Sequence, residues 1–143
     1  MSVGSICVRS VLVASPNESV RAVTRRMAKA DVGTVVILGE AKRPVGILTD
    51  RDVALRCVAE KHDPDSTEVG AVMTTPATCV HESTPIEAAL ARMAGAHVRR
   101  LVVVDEKQRL VGILALDDVL ELLAEEAGTI GRLLGRRAAA RSS

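Results

Sequence analysis

The side chains placed to do chemistry gather mainly at two helix starts. Thr49, Asp50 and Asp52 follow the apolar run Gly46-Ile47-Leu48, and Ala115, Asp117 and Asp118 follow Gly112-Ile113-Leu114. A hydroxyl or carboxylate in a first helical turn accepts hydrogen bonds, either from a ligand opposite or from its own helix end. The cations that stand out are the neighbours Arg99 and Arg100, just before the apolar run 101–104. Cys79 and His81 lie two apart on an extended stretch, and His62, His97 or Cys57 are further donors. Yet no Cys-x-x-Cys or His-x-x-x-His spacing is present, so a metal centre is not expected. No serine or cysteine sits in a recognisable nucleophile motif, so an enzyme is not expected either.

The elements that must carry these residues come in two copies. Gly46 falls on Gly112, a shift of 66 residues (112 − 46), and the same shift carries Met27 onto Met93, Val32 onto Val98, Arg43 onto Arg109 and Val53 onto Val119. A repeat of this length fixes the architecture before any single element is assigned. Each copy has a short lead-in, Val3-Gly4-Ser5-Ile6-Cys7 and Val69-Gly70-Ala71-Val72-Met73, then an extended piece near Val13-Ala14 or Cys79-Val80. A helix follows, marked by Val20, Val23 and Met27 in the first copy and by Ile86, Ala89, Leu90 and Met93 in the second. Thr84-Pro85-Ile86-Glu87 reads as a capping box, whereas the first helix has Asn17 or Glu18 as its cap. Two apolar runs joined by a polar turn come next, at 34–38 and 45–48, then at 101–104 and 110–114. Unbroken Val, Ile and Leu imply strands covered on both faces. A second helix closes each copy, over about 50–60 and 116–126, so each unit reads β-α-β-β-α. The expected division is 3–68, 69–127, and a helical or frayed tail at 128–143.

Composition narrows the partners. Nineteen basic and 18 acidic residues leave a net charge of +1, which supplies no long-range pull toward nucleic acid or an anionic membrane. With no Phe, Tyr or Trp, the chain lacks the stacking platforms that single-strand binders use. No apolar run approaches the roughly 18 residues of a membrane span. Three scattered cysteines form no disulfide framework, so a reduced, cytoplasmic setting is expected. At 48% hydrophobic, the chain can build a core, but units of about 65 residues bury too little surface to stand alone and should share one.

Two such units, each with Gly-apolar-x-Thr/Ser-x-x-Asp or its remnant, resemble a tandem pair of CBS domains, named after cystathionine beta-synthase. Gly46-Ile47-Leu48-Thr49-Asp50-Arg51-Asp52 carries the motif in full; Met73-Thr74-Thr75-Pro76 and Val98-Arg99-Arg100-Leu101 support the second copy. The resemblance implies an α+β fold in which two repeats, related by a pseudo-twofold axis, pack sheet to sheet with helices outside and two clefts between them. It implies a homodimer, a regulatory role, and an adenine nucleotide or adenosyl ligand such as AMP, ATP, NAD or S-adenosylmethionine, with an effector protein as partner. No cofactor is implied beyond that ligand.

On this reading Asp52 takes the ribose hydroxyls, Thr49 flanks the phosphate path, Ile47 presses on the base, and the strand at Ala14 offers backbone groups. Arg99 or Arg100 meets the phosphate from the other repeat. The second cleft would join Asp118 and Ala115 to Gly33 and Thr34, lacking both hydroxyl and cation at those positions, so one competent cleft per chain is expected. The alternatives are a ligand-free dimerisation or docking module, and a metal- or redox-linked stress protein built on Cys79 and His81.

Overall fold

The apolar runs become two three-stranded sheets in the computed structural model, which describes the backbone of residues 1–142 and the side chains of residues 1–135. In the first sheet β1 (Val13–Ala14) runs parallel to β2 (Thr34–Leu38), and β2 runs antiparallel to β3 (Pro44–Thr49). The second sheet repeats this order with β4 (Cys79–His81), β5 (Arg100–Val104) and β6 (Leu110–Ala115). Val35, Val36 and Ile37 are fully buried, as are Leu101, Val102 and Val103, because both faces of these strands are covered. One face packs on the helices of its own half. The other meets the opposite sheet, where Val36, Val102 and Val104 close a shared layer with Ile47 and Ile113 at its margin. The expected α+β architecture, two like halves sheet to sheet, is what the chain adopts.

The helices α2 (Val20–Ala30) and α4 (Ile86–Ala96) bury Val23, Met27, Ala89 and Met93 against the sheets. Each ends on a left-handed residue at the equivalent position, Asp31 (φ 54) and His97 (φ 55), which turns the chain into the next strand. His97 is thus a helix terminus. The caps differ from expectation. Ser19, not Asn17 or Glu18, accepts the Ala22 N–H at the start of α2. Thr84 and Glu87 form no capping box: Pro85 is the cap, without a side-chain bond, and the Ile86 N–H donates to the Met1 carbonyl.

Glu18 serves elsewhere. It accepts from Arg26 (2.6 Å) and from the Ser15 N–H (2.8 Å), and Arg26 reaches the Val13 carbonyl, so the group ties β1 to α2. The Arg26 guanidinium, then the Ser15 N–H, hold the Glu18 carboxyl below its ordinary range. A depressed folded value stabilises above the unfolded carboxylate range, about pH 4.3, and that stability is lost as pH falls through the folded value. Glu18→Gln should therefore cost about 1 kcal/mol at pH 7, given its partial exposure. The gap in melting temperature between variant and parent should narrow as pH falls from about 4.3 through the depressed folded value of Glu18 in a pH-resolved thermal series.

The halves are joined by an exchange of lead-ins. The short helix α1 (Val3–Ile6) opens the first repeat but buries Val3 in the core of the second, with Val80, Leu101 and Leu114. The 3-10 turn Val69–Ala71, which opens the second repeat, buries Val69 in the core of the first, and Val72 follows it there. The backbone bonds match: Val3 N–H to Thr84 O and Val69 N–H to Glu18 O, both 2.9 Å. Neither half is closed without the other's first residues. After β3, α3 (Asp50–Asp52) continues as a wider π-helical segment, Val53–Val58. After β6, α5 runs unbroken from Leu116 to Ser142, well past the expected end near 126 and through the proposed tail. Among the described residues, no helix is long and apolar enough to cross a membrane.

Candidate functional site

Each cleft is built where a lead-in crosses the opposite repeat. Val8 and Ile113 exchange two backbone hydrogen bonds of 2.9 Å at one crossing; Thr74 and Ile47 exchange bonds of 2.8 and 2.9 Å at the other. A glycine precedes the bridged residue in both strands because the crossing chain leaves no room for a side chain. A Cβ on Gly112 would meet Val8 O at 2.4 Å, and one on Gly46 would meet Met73 Sδ at 2.6 Å. Glycine at the head of the motif is therefore a requirement of the crossing, whatever a ligand asks of it.

Beside the first crossing lies a cavity of about 260 Å³. Its walls are Val8, Val11, Leu12, Val32 and Ile113, and its polar groups come from Ser10, Thr34 and Asp118. Asp118 is exposed and has no hydrogen-bond partner among the described residues. The structure thus brings Asp118 together with Gly33 and Thr34. The aliphatic walls suit a flat apolar ring, and a free carboxylate beside them suits a diol. Among the described residues no cation lines the cavity, and the Asp50 carboxylate stands 3.1 Å from the position a Cβ on Gly33 would take, so its border is acidic.

The 66-residue shift carries Asp118, Gly33 and Thr34 onto Asp52, Arg99 and Arg100, the positions at which the repeat would set a second cleft. Its polar groups are engaged differently. Thr49 and Asp52 form a reciprocal capping box: the Asp52 N–H donates to Thr49 Oγ1 (3.1 Å) and the Thr49 N–H to Asp52 Oδ2 (3.0 Å). Thr74 Oγ1 donates to Asp52 Oδ1 at 3.2 Å, and Arg56 approaches the same oxygen at 4.0 Å. Asp52 is consequently buried at 9% exposure, the lone buried charged residue among the described ones. Its partner Thr74 stands where the first cleft has Val8, and Thr49 stands where the first has Ala115. These two replacements account for one carboxylate being held and its counterpart free.

The remaining expected residues are placed as follows. Ala14 ends β1 with its methyl in the core of the first half, leaving only its backbone toward a cleft. Ile47 is half-buried in the layer between the sheets. Arg99 forms an exposed ion pair with Asp117 at 2.9 Å. Arg100 opens β5, is exposed, and has no ion-pair partner among the described residues. The residues at the two crossings that the sequence reading did not single out are Thr74, which bonds Asp52, and Ser10 and Val8, which line the cavity. For Val8 and Thr74 the signal was their mismatch under the 66-residue shift.

Among the described residues, no group of three or more His, Cys, Asp or Glu side chains is arranged to hold a metal. His81 Nδ1 is engaged with Ser83 at 2.8 Å. Burial pushes the thiols of Cys79 and Cys7 above the ordinary value, which lowers the thiolate fraction available for redox exchange.

Comparison with known proteins agrees with this fold. The family profile described as CBS domain matches residues 3–58 and 69–125. An uncharacterized protein of Methanopyrus kandleri is 32% identical over 122 residues, and the match spans 85% of this chain and 62% of that one. The crystal structure of Hypoxic Response Protein I with two coordinated zinc ions superposes with a TM-score of 0.75 at 29% identity, covering 85% of this chain and 98% of that one. A CBS domain protein of Pyrobaculum aerophilum complexed with AMP gives a TM-score of 0.73 at 28% identity, covering 87% and 99%. Two matched domains, the 66-residue duplication and the paired sheets lead to one statement: the chain belongs to the CBS domain family and carries two copies of the domain in tandem.

Proposed function

We propose that the chain is a cytoplasmic regulatory module, without catalytic activity of its own. It binds one phosphate-bearing adenosyl ligand per chain in the cleft of Thr49, Asp52, Arg99 and Arg100, and signals as a homodimer to an effector protein. The observation that carries this is Arg100: an exposed guanidinium with no ion partner among the described residues, equivalent by the repeat to Thr34, which lines the opposite cavity. The AMP complex of the relative at 28% identity supports the ligand class. Binding would exchange the long Thr74–Asp52 contact for ribose hydroxyls, while Arg100 takes the phosphate. A ligand that favours one angle between the halves then shifts that angle by its differential affinity.

The cavity at Asp118 supports a second reading. It has open volume and a free carboxylate but no cation, so it suits an adenosyl compound without phosphate, such as adenosine or the cationic S-adenosylmethionine. Ligand charge therefore distinguishes the two clefts. In thermal-shift and calorimetric titrations, AMP should stabilise the chain by about 2.7 kcal/mol at a hundredfold excess over Kd, with a stoichiometry near one. Arg100→Ala should weaken AMP about 10- to 100-fold, the worth of one charge-assisted bond, and leave the unliganded melt unchanged. A stoichiometry near two defeats the single-cleft proposal. A response to adenosine but not to AMP transfers the site to Asp118, and no response to any adenosyl compound leaves a ligand-free docking module.

A further inference from the structure

We infer that the junction of the two hairpin turns is a ligand site apart from the inter-repeat clefts, one that takes a small monocarboxylate with an apolar chain. The turn joining β2 to β3 and the turn joining β5 to β6 meet around a cavity of about 310 Å³. Leu38 and Lys42 line it from the first repeat, and Asp105, Arg109 and Leu110 from the second. Neither half holds the site alone. It is also remote from the helix starts that carry Thr49 and Asp118. β3 and β6 each run six residues from a turn to a helix start, about 17 Å at about 3.4 Å per residue. No residue lining this cavity lines the one at Asp118.

The charges in the cavity leave a positive remainder. Asp105 is engaged by its own turn: Oδ1 accepts the N–H groups of Lys107 (2.9 Å) and Arg109 (3.0 Å), and Oδ2 accepts from Arg109 Nε (3.1 Å). That last bond fixes the Arg109 guanidinium by one edge, and its two terminal amino groups have no partner among the described residues. The Lys42 ammonium has none among them either. Lys42 stands in the left-handed region (φ 58), as does its repeat equivalent Gln108 (φ 64), a conformation that asparagine adopts more readily than lysine. The other charges of the turns, Glu40, Arg43, Glu106 and Lys107, lie outside the lining and sum to zero. Two cations against one anion leave a single charge to be met. One carboxylate meets it, forked by Arg109 and held from the other repeat by Lys42. A dianionic phosphate would exceed that charge beside Asp105. Leu38 and Leu110 supply aliphatic surface for a short chain.

Amide NMR titrations of the full chain test it. Hexanoate should shift the amides of 40–43 and 105–110 saturably, whereas hexanol, with the same chain and no charge, should leave them unmoved. Lys42→Asn suits the left-handed position, so its melt should match or exceed the parent's while hexanoate binding weakens about tenfold, the worth of one charge-assisted bond. Arg109→Lys keeps the charge, loses the fork, and should weaken binding too. Inorganic phosphate should compete less well than hexanoate. The hexanoate shifts should persist with AMP present and in Arg100→Ala, so a failure here is told apart from a failure of the nucleotide reading. The inference is overturned by the lack of a saturable shift, by an equal response to hexanol, by tighter binding of phosphate, or by unaltered affinity in Lys42→Asn. Loss of the hexanoate shifts on addition of AMP would put both ligands in one site and overturns it as well.

Discussion

Gly112→Ala should lower the melting temperature by on the order of 10 °C, a loss of about 3 kcal/mol. The new methyl would stand 2.4 Å from the carbonyl oxygen of Val8, and that oxygen belongs to a backbone held by two reciprocal bonds to Ile113. Neither chain can yield without breaking the pair. The same strands carry the lead-in helix whose Val3 closes the second core, so displacement at the crossing opens that core as well. Gly46→Ala should cost less, because its tightest neighbour, at 2.6 Å, is the flexible Met73 sulfur and the nearest backbone atom lies at 2.9 Å. Gly95→Ala provides the control. A Cβ there meets nothing within 4 Å, and Gly95 lies in the last turn of α4, so the variant should gain up to about 0.5 kcal/mol from helix propensity. Calorimetric scans of the three variants should rank Gly112, Gly46, Gly95 from most to least harmed. Equal melts for the first and last would mean that the crossing does not hold the halves together.

The duplication, the order of elements and the two-faced strands were legible because they rest on local signals: an ungapped shift, a stripe at helical spacing, and unbroken β-branched runs. The exchange of lead-ins was not. Periodicity says that Val3 and Val69 face a core, and nothing in it says whose core. The capping box was read at Thr84-Pro85-Ile86-Glu87 and found at Thr49-Asp50-Arg51-Asp52, although the latter also has a hydroxyl followed three residues later by a carboxylate. The sequence left Asp52 open to a ligand contact or to capping its own helix, and the structure displays the cap. At Thr84 the backbone groups that cap α4 come from the chain's first residues, a long-range contact that no local pattern announces. A helical tail running on to about 137 was one expected form of 128–143, and α5 carries it to Ser142 despite Gly128, Gly131 and Gly135. The cavity at Asp118 depends on the space left between Val8, Val32 and Ile113, and a sequence carries no record of unfilled volume.

The two aspartates of the repeat should separate stability from binding. Asp52→Ala removes the acceptor of the Thr49 N–H and of the Thr74 hydroxyl, and the charge near Arg56, all at a buried position. Leaving those donors unmatched should cost about 2–3 kcal/mol of unliganded stability. Asp118→Ala removes a side chain with no bond among the described residues, and should cost no more than about 0.5 kcal/mol. If the phosphate-bearing ligand sits in the Asp52 cleft, AMP should stop stabilising Asp52→Ala but still stabilise Asp118→Ala by the parent's amount. The reverse pattern assigns the ligand to the open cavity. Lost stability alone is no evidence of a binding role, because a helix cap predicts that loss equally well. Asp52→Asn sharpens the distinction. The amide oxygen can still accept from the Thr49 N–H, so much of the cap survives, while a neutral group binds a ribose diol less strongly than a carboxylate does. A variant that melts near the parent yet needs at least tenfold more AMP would give Asp52 both roles. One whose AMP affinity matches the parent's would confine it to holding the helix start.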